Sequence, residues 1–243
     1  MAIGVERFVQ VSTDKTVNPS SVMGASKRIC EMIIQAKGRQ GNTQLCCVRF
    51  GNVLGSRGSV VAIFQEQIQR GGPVTLTHQD AQRFLITIPE AVSLVIQAGT
   101  LANNRDIFVL EMGPPVMIQK LAKDLIELSG LSPNRDIRIE IIGLKQGEKL
   151  TEVLMDDRSE LRPTHLEKIK AITTATFDFA AFVNRVRVLE RSAWEGDAEE
   201  VYRQLADLNI GYKGEVPMRP WPVPPNRVAP IPTVTRAMAS ELS

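Results

Sequence analysis

The chain has 243 residues, a formal net charge of +2 and 43% apolar residues, enough for a substantial core in one medium domain or one and a half smaller ones. A nearly neutral chain does not suit a polyanion, so no nucleic-acid partner is expected. No run of eighteen apolar residues and no charged-then-apolar leader is seen, so the expectation is a cytoplasmic protein without a membrane span.

Arg7–Val11 reads as a strand that ends in Ser12-Thr13-Asp14-Lys15. That places hydroxyl, carboxyl and amine groups at the carboxyl end of a sheet, where open α/β folds bind ligands. Val22–Lys37 reads as a helix, with Met23 and Lys27 four residues apart on one face. Gln44–Phe50, rich in Val, Leu and Cys, reads as a second strand. Helices are expected over Val60–Arg70 and Pro89–Leu101, followed by a strand over Asp106–Leu110. The next helix is the most periodic, with Ile118, Leu121, Leu125 and Leu128 near the helical repeat and Gly130 at its end. Arg138–Ile142 is a further strand, and the alternation predicts an α/β fold with a mainly parallel sheet.

Beyond residue 160 the pattern changes. Phe177–Arg191 and Glu195–Leu208 read as helices. Prolines at 217, 220, 222, 224, 225, 230 and 232 predict an extended tail. The expected organisation is an α/β region over 1–160, a mostly helical extension over 161–216 and a proline-rich tail over 217–243. Cys30, Cys46 and Cys47 have no metal-like spacing, and His78 and His165 lie far apart. Reduced thiols and no bound metal are therefore expected.

An isolated Asp-Lys pair is more often a solvated turn than a reactive one, and a lone Met is more often a gap-filler. The longer string STDKTVNPSSVMGASKR over residues 12–28 alters that weighing. It resembles the active-site segment of the nucleotide-sugar 4,6-dehydratases of polysaccharide biosynthesis, the CapD-like branch of the extended short-chain dehydrogenase/reductases. The resemblance continues through VRFGNVLGSRGSV (48–60), GGPVTLTHQDAQRFLITIPEA (71–91) and GLKQGEKLTEVL (143–154). It implies a partial Rossmann-like parallel sheet with a smaller substrate-binding α/β part, and NADP or NAD as cofactor. Members of this superfamily hold the dinucleotide pyrophosphate at a Gly-x-x-Gly-x-x-Gly turn, and Gly51, Gly55 and Gly58 do not have that spacing. The chain is thus expected to correspond to the carboxyl-terminal part of such an enzyme and to bind a free dinucleotide weakly.

By resemblance, Asp14 is the acid and Lys15 the base of an elimination across C5 and C6 of the sugar. It follows oxidation at C4 and precedes return of the hydride to C6. For those roles Asp14 must hold a proton and Lys15 must lack one, the reverse of their free states; a closed, apolar site favours that arrangement. Thr13 would bond the sugar O4, with Ser12 beside it. Lys27 would bind the nicotinamide ribose, and Phe50 and Gly51 would pass the nicotinamide. Met23 stands where most of the superfamily has tyrosine, and a thioether cannot take the C4-hydroxyl proton. Asn52 and Arg83 are implied contacts of the nucleotide-sugar diphosphate, with Arg57 a second arginine for that role, because a guanidinium forks onto two oxygens. Glu148 is implied at the nucleotide ribose, although Lys145-Gln146 replaces the usual Arg-Pro before it.

Three readings stay open. The first is a UDP-N-acetylhexosamine 4,6-dehydratase-like lyase completed by its missing half. The second is a non-catalytic remnant that binds nucleotide sugar or a partner chain. The third is a nucleotide-sugar epimerase, disfavoured because epimerisation needs no acid–base pair at C5 and C6. Under the first two readings, a second copy or another chain is expected to cover the missing half.

Overall fold

The computed structural model describes residues 4–37, 42–56, 58–102, 106–156, 159–173 and 177–216. The expected proline-rich segment and Arg57 lie outside the described residues. Strand β1 (Arg7–Val11) leads through a short 3-10 turn, Asp14–Thr16, to helix α1 (Val22–Lys37) and strand β2 (Gln44–Arg49). Short strand β3 (Asn52–Leu54), helix α2 (Val60–Gln69) and strands β4 (Val74–Leu76), β5 (Gln82–Arg83) and β6 (Leu85–Thr87) follow. Helix α3 (Ile88–Leu101) then precedes strands β7 (Asp106–Leu110) and β8 (Val116–Met117), helix α4 (Ile118–Leu128) and strand β9 (Ile139–Ile141). Strands β10 (Glu160–Pro163) and β11 (Ile169–Thr173) and helices α5 (Phe179–Glu195) and α6 (Ala198–Asp207) complete the described order.

The main sheet has five strands in the order β1-β2-β7-β11-β10. β1, β2 and β7 are parallel, and β11 and β10 add an antiparallel hairpin beyond β7. The fold is therefore α/β with a parallel core, and its sheet runs on past residue 160 to Thr173. β2 is buried along its length through Leu45, Cys46, Cys47 and Val48, as a central strand covered on both faces must be. Burial pushes the Cys46 thiol up to about 12, which makes it an inert core group rather than a nucleophile. Cys30, Cys46 and Cys47 are all free thiols.

Most of the expected elements fall in place, with shifts that have local causes. Phe50 lies just past the end of β2 rather than within it. In α4 the fully enclosed line is Ile118, Ala122 and Ile126, while Leu128 is 84% exposed. Small Ala122 lets this helix close against α2 and β4 in a core of Phe64, Ile68, Val74 and Leu76. Glu195 ends α5 instead of opening the next helix, because Gly196 adopts a left-handed φ of 78° and Asp197 caps α6. Both carboxyl-terminal helices pack on α1, where Ala25, Ile29 and Met32 meet Phe182, Leu205 and Leu208.

Among the described residues β1 pairs with β2 alone and forms one edge of the sheet. Phe8 and Val11 on that edge are 44% and 46% exposed. A flat edge with apolar side chains is a template for strand addition. The purified protein is accordingly expected to associate as its concentration rises, and Phe8→Lys should suppress the association by placing a charge on the edge. Light scattering across a concentration series checks this; a monomer at every concentration would contradict it.

Candidate active site

The turn after β1 rides on the end of β2. Ser12 N donates to Val48 O at 2.8 Å and Asp14 N donates to Phe50 O at 3.1 Å, so the ladder continues two steps past the strand. Thr13 caps the 3-10 turn with its hydroxyl oxygen. That hydroxyl donates to Asp14 Oδ1 at 2.9 Å, and Lys15 Nζ donates to the same oxygen at 2.9 Å. Lys15 Nζ also donates to Asn52 Oδ1 at 3.0 Å, which ties the turn to β3. Asp14 is fully buried, and its Oδ2 has no hydrogen-bond partner among the described residues. An orphaned buried oxygen is destabilising by about 1–3 kcal/mol, and functional sites are where folds retain such groups. Glycine at 51 is required here, because a Cβ would lie 2.7 Å from Phe84 Cβ and 3.1 Å from Asp14 Oδ2.

Beneath the turn lies a buried ion-pair network centred on Glu31 of α1. Its Oε1 accepts from Ser12 Oγ at 2.7 Å, Thr16 Oγ1 at 3.2 Å and Arg49 Nε at 2.7 Å. Its Oε2 accepts from Arg49 Nη2 at 2.6 Å and Arg28 Nη1 at 3.0 Å. Burial pushes the Glu31 carboxyl up, yet the bonds and charges of Arg49 and Arg28, with the Ser12 hydroxyl, hold it below the ordinary glutamate value. Ser12 and Thr16 are thus clamped to the helix at both ends of the turn that carries Asp14 and Lys15.

A cavity of about 500 Å³ opens in front of this turn. Lys15, Met23, Asn52, Arg83 and Glu148 all line it, so five of the residues singled out in the sequence meet at one place. Thr13 and Asp14 join them through Lys15. Arg83 Nη2 donates to Glu148 Oε1 at 2.7 Å, and Thr77 Oγ1 donates to the same oxygen at 2.8 Å. Arg83 Nη1 donates to the carbonyls of Gln82 and Leu150 at 2.7 and 3.1 Å. The two residues assigned to the diphosphate and the ribose therefore form one ion pair, with Arg83 only 8% exposed.

The remaining predicted residues are placed elsewhere. Ser12 is buried and directed at Glu31, and Phe50 is packed in the core of the main sheet. Lys27, half-buried on α1, donates from Nζ to Val11 O at 3.2 Å beside the open edge. With one hydrogen bond among the described residues for three ammonium hydrogens, it suits the hydroxyls of a cofactor ribose. Glu152 escaped the sequence reading although it lies within the string 143–154. It is buried, lines the cavity and lies 3.8 Å from Lys15 Nζ through Oε1. Glu31 escaped too, although Met23, Lys27 and Glu31 recur every four residues on one helix face. No group of His, Cys, Asp and Glu able to hold a metal is found, and no helix is long and apolar enough to cross a membrane, among the described residues.

Residues 1–174 match the family model described as "Polysaccharide biosynthesis protein". The capsular polysaccharide biosynthesis protein CapD of Staphylococcus aureus is 54% identical over 167 residues, covering 68% of this chain and 28% of that protein. A UDP-glucose 4-epimerase of Rickettsia akari is 42% identical over 154 residues, covering 62% of this chain and 44% of the epimerase. The chain thus spans less than half the length of either relative. Among solved structures, Pen from Bacillus thuringiensis aligns with a TM-score of 0.63 and 32% identity, over 71% of this chain and 54% of that one. A double mutant of the dTDP-glucose 4,6-dehydratase DesIV of Streptomyces venezuelae, with NAD bound, shares the fold at a TM-score of 0.53 and 20% identity, over 62% and 52% of the two chains. The fold is the Rossmann-like one of the extended short-chain dehydrogenase/reductases, and the chain belongs to the polysaccharide biosynthesis protein family.

Proposed function

We propose that this chain carries the substrate-binding and acid–base half of a nucleotide-sugar 4,6-dehydratase, acting on a UDP-N-acetylhexosamine. The observation that supports it most is the buried Asp14 hydrogen-bonded to Lys15, with Lys15 on a cavity that also holds Arg83 and Glu148. NAD or NADP, when bound, supplies hydride acceptance from C4 and its return to C6. Lys27 is the residue whose position best fits the nicotinamide ribose. Once C4 is a ketone, the C5 proton is acidic. Lys15 takes it, the C5–C6 double bond forms, the C6–O bond breaks, and Asp14 gives its proton to the departing hydroxyl. When the hydride has returned to C6, Lys15 gives its proton back to C5, and Asp14, 2.9 Å from Lys15, regains its proton from water in the cavity. Met23 shapes the cavity wall and moves no proton.

Incubation of the protein with UDP-N-acetylhexosamine and either dinucleotide, followed by mass and NMR analysis, tests the reading. The expected product is a 4-keto-6-deoxy sugar lighter by one water. A second reading, 4-epimerisation, draws support from the 42% identity to a UDP-glucose 4-epimerase. It predicts a product of unchanged mass with inverted C4. Nucleotide-sugar binding without either product, also after mixing with the cofactor-binding half of a relative, would favour a non-catalytic role. The open β1 edge suits a second copy or another chain that completes the sheet.

A further inference from the structure

We propose that Glu152 is a positioning residue for Lys15, the counter-charge that stabilises the ammonium formed when Lys15 takes up a proton. The inference rests on the dehydratase reading for its use in turnover, but not for its electrostatics. Glu152 follows β9 on a strap that crosses the cavity. The strap is pinned at one side by Ser20 Oγ donating to Gly147 O at 2.7 Å and by Lys149 Nζ donating to Val17 O at 2.7 Å. At the other side Gln82 N donates to Leu150 O at 3.0 Å. This anchoring presents a carboxylate that is only 4% exposed to the cavity.

Among the described residues, three groups lie within 4 Å of the Lys15 amine. Asp14 Oδ1 at 2.9 Å belongs to its own turn, neutral Asn52 Oδ1 at 3.0 Å comes from β3, and Glu152 Oε1 at 3.8 Å comes from the strap. Lys149 Nζ lies 3.3 Å from Glu152 Oε2 and offsets part of its charge. Asp14 cannot serve as the lasting counter-charge. During elimination it must hold a proton and surrender it to the leaving hydroxyl, so it is neutral when the lysine begins to charge. Glu152 lies 3.8 Å from the Lys15 amine, beyond hydrogen-bond reach, and takes no part in the proton transfers, so its carboxylate faces the amine throughout. A carboxylate within about 4–6 Å of an amine favours its charged form. Positive charge developing on Lys15 in the transition state is therefore stabilised by a group already in place, without reorganisation at the moment of reaction.

The electrostatic claim is tested without turnover. Lys15 lines the cavity and is 27% exposed, so an amine-acylating reagent can reach it, and peptide mass spectrometry can read its labelling rate against pH. Glu152→Gln should move the midpoint of Lys15 labelling by about one pH unit or more to lower pH. Lys149→Met, which unmasks the Glu152 charge, should move it to higher pH. The opposite signs distinguish electrostatics from loosening of the strap, which would raise labelling in both variants alike. A midpoint unchanged in both variants, or moved the same way in both, overturns the proposal. In the completed enzyme, Glu152→Gln should lower kcat about tenfold or more while KM changes little. The rising limb of its pH–rate profile should move to lower pH, and Glu152→Asp should restore part of the rate. Shifted labelling in a protein that never dehydrates a nucleotide sugar would sink the dehydratase reading and leave the role of Glu152 intact. Shifted labelling with full turnover in Glu152→Gln would overturn the catalytic use of the residue.

Discussion

Asp14→Asn and Lys15→Met are each expected to lower dehydration by about 10²–10⁴-fold, the range over which a positioned acid or base contributes. Each removes one partner of the pair that must part with and accept a proton in the same step. Asparagine keeps the shape of Asp14 and can still meet the Thr13 hydroxyl and Lys15 amine, so the loss should fall on kcat rather than on folding. Lys15→Met also strips a buried carboxylate of its cation, and thermal unfolding must be followed beside turnover. A folded but inactive variant supports the assignment. Met23→Ala should be far milder, because its thioether only walls the cavity. Retained dehydration in Asp14→Asn would contradict the acid role. Equal losses in all three variants, with hydride exchange at C4 intact, would contradict the passive role of Met23.

Glu31→Gln is expected to destabilise the protein by about 3–5 kcal/mol, as removal of one partner from a buried ion pair does. Arg49, only 3% exposed, would be left buried without its counter-ion. The clamp on Ser12 and Thr16 would lose its charge, so the turn carrying Asp14 and Lys15 should loosen before the rest of the sheet. The pH dependence has a definite sign. The Glu31 carboxyl titrates below its ordinary value of 4.5 in the folded protein. Its contribution is therefore fully present above 4.5 and is lost as the pH falls through the lowered folded value. Urea unfolding at neutral pH and at several acid pH values checks both statements. The gap between wild type and variant should be widest near neutrality and close in acid; a gap independent of pH would mean that the loss is one of packing alone.

The long, periodic elements were legible from residues alone. α1 spans the predicted Val22–Lys37, and β1 and β7 keep their predicted bounds. Strand pairs such as β3–β6 and β5–β8 were not, because two or three residues are too short to display a period. The β10–β11 hairpin escaped because β10 is exposed throughout and contains a proline. Its identity as a strand comes from pairing with β11, which in turn pairs with β7.

The sequence by itself determined the strand that leads into the Ser12–Lys15 turn, the helix that follows it and the family to which they belong. Those features are local: a strand, a 3-10 turn and a helix with their chemistry written within seventeen residues. Only the tertiary structure decided which distant groups share that chemistry. Arg83 and Glu148, 65 residues apart, become one ion pair, and Arg49 closes on Glu31 beneath the turn. Glu152 meets Lys15 because Lys149 and Ser20 pin its strap over the cavity. Contacts of this kind follow from how the sheet and its connections pack, and no periodicity within a segment encodes them. The sheet also settled which charges are already partnered. Ser12 and Phe50 are absorbed into the network and the core, whereas Lys15 and Lys27 keep surfaces that a ligand can reach, because burial demands that polar groups be paired where water cannot serve them.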